Sequence, residues 1–241
     1  MAIPDVKTNS KKRRTSGDAL LIALLVAEGA IIVCLRLIVF QPFSIPSGSM
    51  VPTLIPGDYV LVSKISYGYG PYSLPLATAG LSHRIPASWL PERGDVVVFR
   101  VTGKTAVDFI KRVVGRPGDR VQMTKGVLSI NGVAVPRQRI GDTTIEGSNQ
   151  HGTRYRETLP SGVSYITLSL DDNGIYATTP EYTVPAGHYF VLGDNRNNSV
   201  DSRMLDQVGY VPVENMIGRA ELIVFSSQSG VRWDRLFQVV R

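Results

Sequence analysis

The sequence predicts a mainly β protein, with an antiparallel β-sheet domain and one transmembrane helix near its N-terminus. Three observations support this fold class. Residues 19–40 form one apolar run, ALLIALLVAEGAIIVCLRLIVF. After it come short runs rich in β-branched and aromatic residues, the composition of strands. Glycine and proline separate these runs, as in Pro56-Gly57-Asp58 and Pro117-Gly118-Asp119, so the chain turns back on itself repeatedly.

Residues 18–40 are predicted to be a membrane anchor that follows a basic tail at residues 1–17. As a helix, residues 19–40 are about 33 Å long, against about 30 Å for the hydrocarbon core of a bilayer. Arg36 lies about one turn from the outer end, where its side chain can reach the interface. Glu28 costs about 2.5–3.5 kcal/mol near the middle of the span, but more than a dozen Leu, Ile, Val and Phe residues outweigh it.

The alternative is a cleaved signal peptide, with a basic cluster at 11–14, a short apolar core and the small-residue site Ala27-Glu28-Gly29. The anchor is favoured because eleven mostly apolar residues follow Gly29. Lysine and arginine fill positions 11–14, whereas none occurs from 41 to 63. By the positive-inside rule, the N-terminus is then cytoplasmic and residues 41–241 are exported.

Eight strands are predicted in the exported part. They lie at residues 59–65, 95–101, 109–114, 120–124, 127–130, 164–168, 188–192 and 217–224. The more polar stretch 137–186 is predicted to be a cap-like segment inserted into this β domain, and 71–93 a proline-rich loop. Residues 231–241 carry four apolar side chains at helical spacing, which favours a short helix packed on the core over docking to a membrane surface.

Charge and cysteine content exclude several kinds of site. The net charge is +6, but the first 14 residues carry five basic side chains and one acidic one, so the remaining 227 carry only +2. No basic surface is left for a nucleic acid. The single cysteine, Cys34, forms no internal disulfide. The sequence lacks a His-Glu-x-x-His stretch, a cysteine pair and a Walker-type glycine loop, so no metal or cofactor is predicted.

Ser49 and Lys111, 62 positions apart, are the candidate catalytic residues. A serine hydroxyl needs a neighbouring base to become a strong nucleophile, and lysine serves as that base in known serine–lysine variants. Lys111 follows Phe109 and Ile110 in an apolar strand. Burial lowers the pKa of a lysine from its ordinary value of about 10.4, so a lysine in this setting can act as a base near neutral pH.

Four stretches carry a resemblance to a known family. They are 45–54 (IPSGSMVPTL), 94–99 (GDVVVF), 109–119 (FIKRVVGRPGD) and 193–203 (GDNRNNSVDSR). In this order they resemble the motifs of type I signal peptidases, the bacterial leader peptidases. The resemblance implies a membrane-bound serine endopeptidase that removes N-terminal signal peptides from exported preproteins. It implies cleavage after small-x-small motifs and no cofactor.

The resemblance also implies a location and roles for further residues. The protein would span the inner membrane of a bacterial cell once, with its catalytic domain on the periplasmic side. Ser47 and the main-chain N–H of Ser49 would stabilise the oxyanion, and Ser199 would orient the Lys111 amine. A structural ion pair, Asp201 with Arg203, would support the same loop.

The preprotein is expected to bind as an extended strand between the segments around Ile45 and Ile110, with small side chains entering shallow apolar pockets. For each substrate-binding residue, ordinary core packing is the alternative. The residues implied are Phe43, Ile45, Pro46, Met50, Phe109 and Ile110.

Two other classes of protein stay open at this point. A self-cleaving repressor of the LexA type shares the serine–lysine core, but it predicts an N-terminal DNA-binding domain where this chain has an apolar span. A membrane-tethered β scaffold without catalysis predicts no coupling between Ser49 and Lys111, and it leaves the stretch 193–203 unexplained. Cleavage of a preprotein by the purified protein distinguishes the three classes.

Overall fold

The computed structural model describes residues 16–73, 84, 89–102, 106–145 and 151–241, and the chain divides into two compact units, Met1–Arg36 and Leu37–Arg241. The first unit contains the helix α1, Ser16–Cys34. Helical residues continue as a π-helical turn at Leu35–Val39. The stretch Gly17–Val39 is long and apolar enough to cross a membrane, and none of it is buried. The apolar helix predicted at 18–40 is therefore present, whereas most of the predicted tail at 1–17 lies outside the described residues.

The described part of the second unit is built from fourteen strands joined by turns and short 3-10 helices. The strands are β1 Phe40–Ser44, β2 Asp58–Ser63, β3 Val96–Val101, β4 Val107–Gly115, β5 Arg120–Thr124, β6 Val127–Ile130, β7 Val133–Ala134, β8 Arg137–Thr144, β9 His151–Thr158, β10 Ser164–Ser169, β11 Tyr182–Thr183, β12 His188–Leu192, β13 Val211–Pro212 and β14 Met216–Ser226.

These strands form three antiparallel sheets. The largest has seven strands in the order β1-β2-β14-β3-β4-β12-β13, a second has the order β11-β5-β6-β7, and a third has the order β10-β9-β8. In the largest sheet β4 lies between β3 and β12, with Val97 opposite Lys111 and Val98 opposite Ile110. Residues of β4 and β12 pack with residues of β5 and β6 in one buried cluster, which joins the largest sheet to the second.

The mainly β fold class is confirmed, and all eight predicted strands are present with small shifts at their ends. The stretch 137–186 does not form one body: β8, β9 and β10 make the third sheet, whereas β11 pairs with β5. Its origin as an inserted cap stays a prediction. The predicted loop at 71–93 is described only at 71–73, 84 and 89–93.

The helix predicted at 231–241 is wrong. Only Trp233–Arg235 forms a 3-10 turn, and Phe237 adopts a left-handed φ of 61°, which breaks a helical path. The chain then runs beside β14 instead, with Val239 bridging to Leu222. The helical spacing of apolar residues predicted a face packed on the core. Trp233 and Phe237 are instead 76% and 71% exposed, so they do not form such a face.

Candidate active site

Ser49 lies in a tight loop between β1 and β2, residues 45–58, called the nucleophile segment below. The loop closes at its base, where the Ile45 N–H donates to the Asp58 carbonyl at 2.8 Å and the Gly57 N–H donates back to the Ile45 carbonyl at 3.0 Å. Ser49 itself sits in the 3-10 turn Gly48–Met50 and is 8% exposed. A short closed loop fixes the position of the serine relative to the sheet.

Lys111 comes from β4, and its side chain contacts Ser49. Its Nζ lies 2.7 Å from Ser49 Oγ and donates a second hydrogen bond to the Ile110 carbonyl, also at 2.7 Å. Lys111 is only 3% exposed. The two candidate catalytic residues are thus in direct contact, as the sequence predicts for a nucleophile and its base.

Burial controls the charge of Lys111. It lowers the pKa of the amine from 10.5 to about 8, against the opposing charges of Asp201 and Asp194. Among the described residues, no carboxylate lies within ion-pair distance of Nζ, so neither charge compensates the ammonium directly. A lysine in this state loses its proton readily and can accept the serine proton.

Arg112 follows Lys111 on β4 and points to the opposite face of the sheet. It is fully buried and forms a two-pronged ion pair with Asp194, with Nε 2.8 Å from Oδ1 and Nη2 2.7 Å from Oδ2. Asp194 Oδ2 also accepts the Thr53 hydroxyl at 2.6 Å. This ion pair therefore connects the strand that carries Lys111 to the segment that carries Ser49.

The stretch 193–203 holds the tip of the nucleophile segment. The Asn195 N–H donates to the Ser49 carbonyl at 3.1 Å, and the Asn195 side-chain amide donates to the Gly48 carbonyl at 3.0 Å. A Cβ on Gly193 would lie 2.6 Å from the Ser49 carbonyl oxygen, so only glycine fits there. Four residues of this framework carry no signal of their own in the sequence, although each lies inside a stretch that resembles the family motifs: Asn195, Asp194, Thr53 and Arg112.

Asp201 and Arg203 form the predicted ion pair at 2.8 Å, and both are buried. Burial alone would raise the pKa of Asp201, but the Arg203 charge and the hydrogen bonds from Arg203 and Gly193 outweigh it and hold that pKa below its ordinary value. The Gly193 N–H donates to Asp201 Oδ2 at 3.0 Å. The pair thus fixes the start of the stretch that contacts Ser49.

Ser47 and Ser199 line the same cleft as the two catalytic candidates. Ser47 Oγ is 3.5 Å from Ser49 Oγ. Ser199 Oγ is buried and makes no hydrogen bond to the Lys111 amine within the described part of the chain. It lies near the Asp201 carboxylate and helps to lower the pKa of that group. The oxyanion role of Ser47 and the orienting role of Ser199 stay predictions.

The candidate catalytic pair lines an open cleft of about 480 Å³. Its lining comes from β1 and the start of the nucleophile segment, from β4, and from residues 197–200. Five of the six predicted substrate-binding residues line it, namely Phe43, Ile45, Pro46, Phe109 and Ile110. Ser47, Ser49, Lys111 and Ser199 line it too.

Met50 is the exception, and its prediction as a substrate contact is corrected. Its side chain is fully buried and packs with Leu54, Val60 and Ile223 in the core. Successive residues of the 3-10 turn face different ways, so Ser49 reaches the cleft while Met50 points beneath it. Core packing, the alternative for each of these residues, holds for this one.

Comparison with known proteins gives consistent matches. A family model described as signal peptidase, peptidase S26, matches residues 14–225. A signal peptidase I from Rickettsia canadensis is 38% identical over 98% of this chain and 89% of its own length. A signal peptidase I from Rickettsia typhi is 39% identical over 80% of this chain and 75% of its own length.

A crystal structure of a signal peptidase I from Enterococcus faecalis aligns with 54% of this chain and 95% of its own, at 27% identity and a TM-score of 0.31. The similarity in sequence, which extends over most of the chain, is what assigns the family.

Proposed function

The chain belongs to the signal peptidase family, peptidase S26, and on that premise we propose that it is a membrane-anchored serine endopeptidase that removes signal peptides from exported preproteins. Ser49 is the nucleophile and Lys111 the general base. The observation that carries this assignment is the 2.7 Å contact between Lys111 Nζ and Ser49 Oγ at the wall of an apolar cleft. A scaffold without catalysis has no use for a buried lysine held against a serine.

The reaction follows from this geometry. In the reactive form Lys111 is neutral, and its lone pair accepts the Ser49 proton as Oγ attacks the carbonyl carbon of the scissile peptide. The Ser49 N–H and the Ser47 hydroxyl stabilise the oxyanion that forms. The Lys111 ammonium then protonates the leaving amine of the mature protein. Water, activated by the same amine, hydrolyses the acyl-enzyme and releases the signal peptide.

The cleft suits an extended peptide with small side chains. Its walls, β1 with the nucleophile segment and β4, both present strand backbone, so a substrate strand can bind between them. Ile45 and Ile110 line the cleft together with Ser49 and make its walls apolar. Shallow apolar pockets accept alanine or glycine and exclude larger groups, which fits cleavage after small-x-small motifs.

The placement in the membrane is also a proposal. The helix of residues 17–39 would cross the inner membrane of a bacterial cell once, with residues 1–17 in the cytoplasm and the catalytic domain, residues 41–241, in the periplasm. Protease added to intact spheroplasts should then digest the catalytic domain while leaving the N-terminal tail intact. Complete protection of the catalytic domain would mean that the orientation is inverted.

Cleavage of a purified preprotein tests the function itself. The full-length protein in detergent should release a mature protein whose N-terminus, read by mass spectrometry, follows a small residue. A matched preprotein with tryptophan in place of that residue should not be cleaved there. The variant Ser49→Ala should fold and leave both preproteins intact; turnover by the folded variant would exclude Ser49 as the nucleophile.

A further inference from the structure

We propose that residues 231–241, called the clamp segment below, position the nucleophile segment for catalysis, and that Arg235 is the positioning residue through which they act. This inference rests on the proposed function. The predictions made for residues 231–241 from sequence, a packed helix or a membrane contact, give them no such role.

Arg235 binds the nucleophile segment at two points. Its Nε donates to Asp58 Oδ1 at 2.9 Å and its Nη2 to Asp58 Oδ2 at 2.6 Å, a two-pronged ion pair. The same Nη2 donates to the Thr53 carbonyl at 3.0 Å. Arg235 therefore joins the base of the loop to a residue four positions beyond Ser49.

Asp58 transmits this contact because it is part of the loop closure. It is fully buried, its carbonyl accepts from the Ile45 N–H, and its Oδ2 accepts from the Ile55 N–H at 2.9 Å. Arg235 is the ion-pair partner of this carboxylate. Removing the guanidinium would leave a buried charge uncompensated inside the loop, and the loop would have to open to admit water.

Two further contacts join the clamp segment to the site. Arg232 Nη1 donates to the Pro56 carbonyl at 3.0 Å. Arg112, which pairs with Asp194, donates through Nη2 to the Arg241 carbonyl at 2.9 Å. The clamp segment thus touches the nucleophile segment at its base and the Arg112–Asp194 pair that holds its tip.

The clamp segment is held by the sheet and not by burial of its largest side chains. The Phe237 N–H donates to the Ile223 carbonyl at 2.8 Å, and the Val240 N–H donates to the Glu221 carbonyl at 2.9 Å, which attaches the segment to β14. Trp233 and Phe237 remain largely exposed. Its two arginines, Arg232 and Arg235, reach the nucleophile segment at Pro56, Thr53 and Asp58, which is the arrangement of a positioning element.

The test compares Arg235→Met with the full-length wild type in detergent. Arg235 does not line the cleft, so KM should stay within about twofold, while kcat per folded molecule falls by about 10- to 100-fold because the serine is misplaced. The pKa of the Lys111 amine can be followed by NMR of 13C-labelled lysine, with the Lys111→Arg variant to assign its signal. In Arg235→Met this pKa should rise above the value of about 8 in the wild type, because water enters the site. A change in stability alone would not move this titration.

Two other variants make the comparison specific. Arg139→Met removes an exposed arginine that pairs with Asp142 on β8, and it should leave kcat and the Lys111 titration unchanged. Arg235→Lys keeps the charge but cannot reach both carboxylate oxygens and the Thr53 carbonyl, so it should show smaller shifts in the same directions. It serves in place of Arg235→Met if that variant does not fold.

An unchanged Lys111 titration in the Arg235 variants would overturn the proposal, whether or not kcat falls, since a fall by itself would then reflect a merely structural role. A higher Lys111 pKa together with a lower kcat in these variants would support it. A wild type that cleaves no preprotein would refute the proposed function, and the titration would still decide whether Arg235 positions the nucleophile segment.

Discussion

Lys111 and Arg112 are neighbours on β4, and they carry the same charge into two equally buried regions on opposite faces of the sheet. On one face, Lys111 contacts Ser49 and a carbonyl and has no carboxylate within ion-pair distance among the described residues. On the other, Arg112 binds Asp194 through two hydrogen bonds and stacks 4.1 Å from the centre of the Tyr165 ring.

The difference lies in the counter-charge. Burial lowers the pKa of Lys111 to about 8, and the distant carboxylates do not restore it. Burial also lowers the pKa of Arg112, but the charge and hydrogen bonds of Asp194 outweigh burial and raise it above its ordinary value. A buried cation without a partner becomes a base, whereas a buried cation with a partner becomes part of the framework.

The largest expected effect comes from replacing Lys111 with a cation that cannot lose its proton. Lys111→Arg keeps the charge but has a pKa above about 12, so it should abolish cleavage, a loss of at least about 10⁴-fold in kcat. Preprotein cleavage measures this, with circular dichroism to check the fold. Near-normal cleavage by Lys111→Arg would mean that lysine is not the general base.

On the opposite face of the sheet, Arg112→Met should destabilise the protein by about 3–5 kcal/mol, because it leaves Asp194 buried and unpaired. Urea unfolding measures the free energy. The matched control is Arg100→Met, which breaks a partly exposed pair between Arg100 on β3 and Asp108 on β4 and should cost no more than about 1 kcal/mol. An equal loss of unfolding free energy in the two variants would contradict a structural role for the Arg112–Asp194 pair.

Lys111→Met should change the free energy of unfolding in the opposite direction from Arg112→Met. The lowered pKa means that below pH 8 the folded protein holds a proton in an unfavourable site, so the lysine reduces stability fully there and its effect disappears as the pH rises towards 10.5. Removing it should raise the free energy of unfolding at pH 7 by up to about 3 kcal/mol while abolishing activity. A variant less stable than the wild type at pH 7 would show that Lys111 is not destabilising.

A smaller effect is expected from Ser199→Ala. Its hydroxyl lines the same cleft as Lys111 and lies near the Asp201 carboxylate, and the proposed role is that it bonds the Lys111 amine when the lysine is neutral. Losing one such hydrogen bond should lower kcat by about tenfold and leave KM unchanged. Ser161→Ala, at an exposed serine on a loop, is the control. Equal kcat for the wild type and Ser199→Ala would remove Ser199 from the orienting role.

The local parts of the fold and site were predictable from sequence. Runs such as Val96–Val101 combine β-branched residues with glycine turns, and the stretches around Ser49 and Lys111 pointed to two side chains that are in contact in the structure. The strands β8 and β9 were missed because they are polar on both faces, with Arg139 and Asp142 paired at the surface. β1 was missed because Pro42 interrupts a short run that follows the apolar helix.

The long-range parts could not be predicted. Arg112 and Asp194 are 82 positions apart, and Arg235 and Asp58 are 177 apart. No local pattern links such residues, because the three-dimensional sheet order brings them together. Met50 shows the same limit at short range, since only the direction of its side chain in the turn places it in the core.

The pH dependence of kcat/KM for a preprotein without titrating groups near the cleavage site tests the central claim most directly, since it reports the ionisation of the free enzyme. If Lys111 is an uncompensated buried base, cleavage should rise with pH through an apparent pKa of about 8 and then level off. A rate independent of pH from about pH 6 to pH 10, or an apparent pKa at the ordinary lysine value of about 10.4, would contradict it.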